Sequence, residues 1–256
     1  MNTNSLKKYI FKIIKKYLTC AILKILLLII FVSLDKEKNV KFKSKFYNLF
    51  LYLLIKNKYV VINKKLINNN KSKKGIIIIS NHVNIYDYIF IRNTIDCYIV
   101  ANDTFVFNDK IKENLELIPY KVLDKKSGID VKKNILKLIN SGKNVLVFPE
   151  GRMCNSLKNN LLKFKEGLFH LAWDNDIPIL MSTLYSNNNN LAVGHPIINV
   201  RVILNILYNI FLFSDEKTAI IYELISFAYK KNFKNFNEYY EHIYKTMNSN
   251  LKKYIE

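Results

Sequence analysis

The sequence predicts an α/β fold: a mixed, partly parallel sheet flanked by helices, preceded by an N-terminal hydrophobic and amphipathic helical pair. From about residue 59 onward, short apolar runs alternate with helix-patterned stretches, and strand–helix–strand order requires crossovers that leave at least part of the sheet parallel. The run "GIIIIS" (75–80) does not alternate, as expected of a strand buried on both faces. The first 57 residues have a different texture, long apolar stretches set among lysines. The expected division is therefore 1–58, membrane-associating helices, and 59–256, a catalytic domain.

"SLKKYIFKIIKK" (5–16) places Leu6, Ile10, Ile13 and Ile14 among lysines and suits a basic amphipathic helix. It runs into "YLTCAILKILLLIIFVSL" (17–34), whose only charge is Lys24. A helical bilayer span needs roughly 20 apolar residues, so this stretch sits at the boundary between spanning and lying in one leaflet. No small-x-small site follows Leu34, and the reading is an uncleaved anchor. "FYNLFLYLLIK" (46–56) completes a helical pair, 6–34 and 41–57, that dips into or lies on a leaflet, or else packs on the core.

Beyond it, "KYVVIN", "GIIIIS", "DCYIVAN", "NVLVFPE" and "IPILMSTL" read as strands. "DVKKNILKLINSGK" spaces Val131, Ile135, Leu138 and Ile139 helically and stops at Gly142, a C-terminal cap. "LKFKEGLFHLAWDND" reads as a helix, "SNNNN" as a loop. The tail from about 215, "EKTAIIYELISFAYKK" and "NEYYEHIYKTMNSNLKKYI", reads as helical throughout.

A formal charge of +20 calls for an anionic partner: a phospholipid surface, nucleic acid or a phosphorylated substrate. Richness in Lys, Asn and Ile offers a plainer source for that charge. Of 40 basic residues only Arg92, Arg152 and Arg201 are arginines, so their positions carry weight. Cys20, Cys97 and Cys154 are far apart with no CxxC spacing, which supports neither a disulfide framework nor a zinc site and fits a reducing compartment. No zinc-finger, RRM or other nucleic-acid signature occurs.

The chemistry concentrates in two places. In "IIIISNHVNIYDYIF" (76–90), His82 would sit in the turn after a buried strand, where α/β sheets place their ligands. Residues five apart do not share a helix face. Because His82 precedes the helix, the backbone can bend so that Asp87 reaches the ring, fixing its tautomer and stabilising the imidazolium. Alone, a histidine after a strand is more often structural. In "VLVFPEGRM" (145–153) a strand delivers Glu150, Gly151 and Arg152 into a turn stiffened by Pro149. Arg152 offers a planar fork of donors suited to phosphate. His170, His195 and His242 read as structural or surface residues.

Together these stretches resemble the PlsC-type glycerolipid acyltransferases, the family that includes 1-acylglycerol-3-phosphate acyltransferase. "NHVNIYD" matches that family's N-H-x4-D block and "FPEGR" resembles its F-P-E-G block. The direct Gly151–Arg152 step, with "LLKFKEG" about ten residues on, is closer to the lysophospholipid-acylating branch. "IPIL" with Pro178 is similar to the fourth block, and "VGHPI" (193–197) to a G-x-P-I element. In order, the blocks span about 75 to 197. One departure stands out: the second block of the family ends in an arginine that contacts the substrate phosphate, and "LELIPYKVLDKKSG" has none. Lys125 or Lys126 would stand in, as a point charge without a fork.

The resemblance implies the glycerolipid acyltransferase fold and acyl transfer from acyl-CoA or acyl-carrier protein to a hydroxyl of lysophosphatidic acid or another lysophospholipid. His82 would be the general base and Asp87 its orienting acid. Glu150 and Gly151 would shape the acceptor site, and Arg152 and Lys125 would hold the phosphate. It implies no metal and no cofactor beyond the thioester co-substrate. With no GxSxG elbow in the sequence, no covalent acyl-enzyme is expected. The expected setting is a membrane phospholipid surface with a cytoplasmic-facing site and no nucleic acid partner. Competing readings are a catalytically impaired acyltransferase-like membrane-surface protein and a thioester hydrolase that uses water as acceptor.

Overall fold

Seven strands make one sheet in the order β1-β7-β6-β2-β5-β3-β4. The computed structural model describes residues 59–62, 65–68, 74–83, 87–102, 116–121, 125–152, 161–186 and 220–254. The expected N-terminal helices, the "SNNNN" loop after Ser186, "VGHPI", Cys20, Cys154 and His195 lie outside them. No helix among the described residues is long and apolar enough to cross a membrane.

The strands are β1 (Tyr59–Ile62), β2 (Ile77–Ile79), β3 (Tyr98–Asn102), β4 (Leu117–Tyr120), β5 (Val145–Val147), β6 (Ile179–Ser186) and β7 (Ile220–Ala228). β2 pairs parallel with both β5 and β6, in register Ile77↔Val145 and Ile77↔Ile179. β3 continues the parallel set between β5 and β4. β7 runs antiparallel to β6 and carries β1 parallel to itself, so the sheet is mixed. The helices are α1 (Lys65–Asn68), α2 (Asp87–Arg92), α3 (Lys125–Asn140), α4 (Gly167–Asp174) and α5 (Phe236–Lys252).

β2 is central and fully buried, as its unbroken isoleucines require. Ile77 and Ile79 enter one core with α3, α4 and α5 through Ile135, Ile139, Phe169, Tyr239, Ile243 and others. Ile78 enters the other core, beside Ile91 of α2. At about 1.5–3 kcal/mol per fully buried aliphatic side chain, these three residues anchor the strand from both sides.

α3 ends where Gly142 was expected to end it. Gly142 adopts φ 78. Its N–H donates to Ile139 O at 3.0 Å, and Lys143 N–H donates to Leu138 O at 2.9 Å. This pair of bonds is the Schellman motif, which a left-handed glycine permits.

Two expectations are corrected and one strand is added. The "EKTAIIYELISFAYKK" segment contains strand β7 in place of a helix. Tyr222 and Leu224 are buried on the core side of α2, and Ile225 and Ala228 face the other core, so β7 is an inner strand between β6 and β1. Its aromatic and β-branched residues fit both periods, and pairing along the whole of β6 decides for the strand. "LKFKEGLFHLAWDND" becomes helical only from Gly167, because the stretch before it is bonded to the loop after β5. β4 was unanticipated. It contains Pro119, which an edge strand tolerates because its N–H has no ladder partner to lose.

Candidate active site

The chain leaves β2 toward β3 on one side and leaves β5 toward β6 on the other. The helices in these two connections lie on opposite faces: Ile91 of α2 packs in one core, Phe169, Leu171 and Ala172 of α4 in the other. The adjacent carboxyl ends of β2 and β5 therefore open a crevice, the place where α/β sheets bind ligands. His82 follows β2 into this crevice, and Glu150 follows β5.

Asp87 is the first residue of α2 and is fully buried. One of its oxygens, Oδ2, lies 2.9 Å from His82 Nδ1 and 2.5 Å from the backbone N–H of Val83, which donates to it. The five-residue spacing works because the helix begins at Asp87, leaving His82 in the preceding non-helical loop. The carboxylate is acceptor-only, so Nδ1 carries the proton and Nε2 is the nitrogen left to take one. The imidazole also stacks on Phe148, with centroids 4.2 Å apart and planes 17° from parallel. The ring is thus held by its edge and by its face, and 22 % of the side chain reaches solvent.

Glu150 is buried and ties the two segments together. Oε1 accepts from the His82 backbone N–H at 3.1 Å, and Oε2 accepts from Leu162 N–H at 3.2 Å. The His82 loop is further fixed by Asn81, whose side chain both donates to Leu184 O (2.8 Å) and accepts from Leu184 N (2.7 Å). Asn81 thereby acts as an extra residue of ladder between β6 and the end of β2. Ser182 Oγ donates to Ile79 O at 2.7 Å.

Gly151 takes φ 68, a left-handed conformation suited to glycine, and Arg152 is exposed beside it. Lys125 opens α3, and its side chain lies outside the described residues. The structure therefore brings both Asp87 and Glu150 into direct contact with His82, with Gly151 and Arg152 on the Glu150 loop. His170 and His242 lie away from the crevice: His170 is exposed and stacks on Phe236 at 3.7 Å, and His242 lies beside Phe233. No group of three His, Cys, Asp or Glu among the described residues is placed to hold a metal.

Residues 59–183 match the family model described as Acyltransferase. These residues form an acyltransferase-family domain. Over 120 residues the chain is 27 % identical to the 1-acyl-sn-glycerol-3-phosphate acyltransferase BAT2, chloroplastic, of Brassica napus, a match covering 45 % of this chain and 34 % of that protein. The match thus spans about a third of the length of that relative. In architecture the chain is similar to PlsC, a 1-acyl-sn-glycerophosphate (LPA) acyltransferase from Thermotoga maritima, with a TM-score of 0.60 at 12 % identity, covering 89 % of this chain and 87 % of that one. The acyltransferase-family domain contains both His82 and Glu150, together with all of β2, β5 and the crevice between them.

The structure places the His82, Asp87 and Glu150 singled out in the sequence together, and sets beside them Asn81, Phe148 and Lys165, which the sequence did not single out. Asn81 and Phe148 adjoin the singled-out blocks, and the signal for each was proximity to the carboxyl end of a buried strand. Lys165 belongs to the "LLKFKEG" stretch noted for its spacing, and nothing in that spacing says where its side chain goes.

Proposed function

We propose that this protein transfers a fatty acyl group from a thioester, acyl-CoA or acyl-carrier protein, to a hydroxyl of lysophosphatidic acid or a related lysophospholipid. The observation that carries this reading is the oriented His82. Its Nδ1 is committed to buried Asp87, its face is committed to Phe148, and Nε2 is left for a substrate hydroxyl. The name of the Brassica napus relative supports the acceptor class.

In this mechanism, His82 Nε2 removes the acceptor hydroxyl proton as the oxygen attacks the thioester carbonyl, and Asp87 stabilises the imidazolium that forms. Collapse of the tetrahedral adduct breaks the C–S bond and expels the thiolate, which takes the proton from the His82 imidazolium and leaves as the free thiol, so no acyl-enzyme is formed. Glu150 holds the base in place through its backbone, Gly151 shapes the acceptor site through its left-handed turn, and Arg152 and Lys125 hold the acceptor phosphate. The basic and apolar composition of residues 1–58 supports a setting for this chemistry at the cytoplasmic surface of a membrane, where the acceptor resides.

The test supplies labelled acyl-CoA and acyl-carrier protein, each with a panel of lysophospholipids and glycerol 3-phosphate. Wild type should acylate at least one acceptor, and His82→Ala should lose transfer while remaining folded and membrane-bound. Turnover retained in His82→Ala removes the base from this mechanism. Release of free fatty acid with no acylated product would instead make the protein a thioester hydrolase.

A further inference from the structure

The segment after the Glu150 turn is laid back against it by two hydrogen bonds donated from its backbone N–H groups, one to the Glu150 carboxylate and one to a backbone carbonyl. Leu162 N–H donates to Glu150 Oε2 at 3.2 Å, and Lys165 N–H donates to Pro149 O at 2.9 Å. Together they fix the backbone of Lys165 beside the turn that holds Gly151. The lysine side chain then occupies a defined place: a Cβ added to Gly151 would stand 2.5 Å from both Cε and Nζ of Lys165. The end of the lysine thus fills the space that any side chain at 151 would need. Its Nζ also lies 5.8 Å from the ring centroid of Tyr120, the last residue of β4. The cation is therefore set at the carboxyl edge of the sheet, one residue along from the glutamate that anchors His82.

Among the described residues the charge of Lys165 is uncompensated. Lys163 reaches Glu166 at 4.0 Å and Lys245 reaches Glu241 at 3.4 Å, whereas no carboxylate among the described residues pairs with Lys165. An exposed ammonium whose backbone is pinned beside Gly151, near the Tyr120 ring and with no paired acid among the described residues, is placed for an anionic ligand.

We infer that Lys165 is a phosphate-binding residue of the acceptor site, supplying a cation beside Gly151 where the "LELIPYKVLDKKSG" stretch has no arginine. This rests on the acyl-transfer reading above. The acceptor is favoured over the thioester donor by simple connectivity. In a glycerol phosphate only two or so carbons separate the reacting hydroxyl from the phosphate. In coenzyme A and in the carrier protein, the whole pantetheine arm separates the thioester from the nearest phosphate. A cation next to the turn that anchors the base is within reach of the first and remote from the second. Lys165 is a point charge with three rotatable donors, so it attracts the phosphate without imposing a bidentate geometry.

The experiment uses full-length protein in detergent as wild type, Lys165→Gln and Lys165→Arg. Binding of monomeric 1-hexanoyl-glycerol 3-phosphate is measured by calorimetry, and KM for lysophosphatidic acid and for acyl-CoA is measured by turnover. Loss of a charge-assisted contact should weaken acceptor binding about ten- to a hundredfold in Lys165→Gln. The acceptor KM should rise in parallel, kcat should change by less than about threefold, and the acyl-CoA KM should stay as in wild type. Lys165→Arg should restore most of the binding, which a merely structural role would not predict for a longer, planar side chain.

Unchanged acceptor binding in Lys165→Gln overturns the inference, as does a rise confined to the acyl-CoA KM. Because the binding measurement needs no turnover, the two proposals fail separately. Lys165-dependent binding without acyl transfer would defeat the reaction and keep the site. Acyl transfer untouched by Lys165→Gln would do the reverse.

Discussion

Replacing Asp87 by asparagine separates the two things a carboxylate can do for a histidine base. Asp87 Oδ2 is shared by His82 Nδ1 at 2.9 Å and the Val83 N–H at 2.5 Å. Both are donors, so an asparagine must turn its amide oxygen, not its NH2, toward them. The Asp87→Asn side chain would thus still accept from Nδ1–H and keep Nε2 as the free nitrogen, while removing the negative charge. A unit charge pair about 3 Å apart at an effective dielectric near 20 is worth roughly 5–6 kcal/mol. Charge-assisted hydrogen bonds are about twice as strong as neutral ones, so about half of that is lost, on the order of 2–3 kcal/mol. The expected fall in kcat is roughly 30- to 150-fold. Asp87→Ala removes the acceptor as well. It leaves the buried Val83 N–H unpaired at about 1–3 kcal/mol and releases the ring, so its kcat should fall about a thousandfold or more. The assay is transfer from labelled acyl-CoA to saturating lysophosphatidic acid, with thermal unfolding of each variant as the control. Equal losses in the two variants, or Asp87→Asn within threefold of wild type, would refute the reasoning that Val83 pins the oxygen and preserves the tautomer.

The same logic gives Glu150→Gln a different signature, since Glu150 accepts from two separate backbone donors, His82 N–H and Leu162 N–H. Glutamine can accept only one of them and turns its NH2 on the other, which should cost about 1–3 kcal/mol and lower the melting temperature by several degrees. An unshifted melting curve would mean that the two segments are held together by other contacts. Cys97 gives a pH prediction. Burial pushes its thiol from 9.0 up to about 12, with Arg92 opposing the shift. The folded chain therefore keeps a proton that the unfolded chain gives up. The resulting stability is fully present below pH 9 and is lost as pH rises toward 12, at about 1.4 kcal/mol per pH unit in between. Denaturant midpoints measured from pH 8 to 11 should fall more steeply for wild type than for Cys97→Ala, and parallel curves would contradict the burial argument.

What could be read from the sequence was whatever local patterning encodes. The four isoleucines at 76–79 announce a strand buried on both faces, and Gly142 announces a helix end. His82 and Asp87 announce a loop-to-helix boundary through a spacing that no continuous helix could use. What escaped depended on partners distant in the chain. β7 became a strand because β6 offers it eight positions to pair with, a fact held in the fold and not in "IIYELISFA". The early turn of the expected helix at 161–166 is lost because Leu162 and Lys165 commit their backbone N–H groups to Glu150 and Pro149. The placement of Lys165 against Gly151 follows from those same two bonds, so no spacing rule could have supplied it.

This difference in origin separates the parts of the site that can change from those that cannot. His82 extends from a strand whose three isoleucines are each fully buried. Their burial is worth about 5–9 kcal/mol together, which is comparable to the whole net stability of a typical domain, about 5–15 kcal/mol. Displacing the base would mean unseating β2, so its position is as robust as the fold. The segment carrying Lys165 is anchored as well, by Leu161 and Phe164 in the core and by the hydroxyls of Tyr240 and Tyr244, which donate to Phe164 O (2.9 Å) and Leu161 O (3.0 Å). Lys165 itself is exposed, so its side chain can change without disturbing that anchor. On the proposed mechanism, side chains that choose the acceptor sit at such exposed positions and those that carry out proton transfer sit at the end of the buried strand. The lack of an arginine in the second block then changes substrate contacts outside the machinery of the base. An ammonium arriving from the 161–165 segment can compensate for it while His82, Asp87 and Glu150 stay where they are.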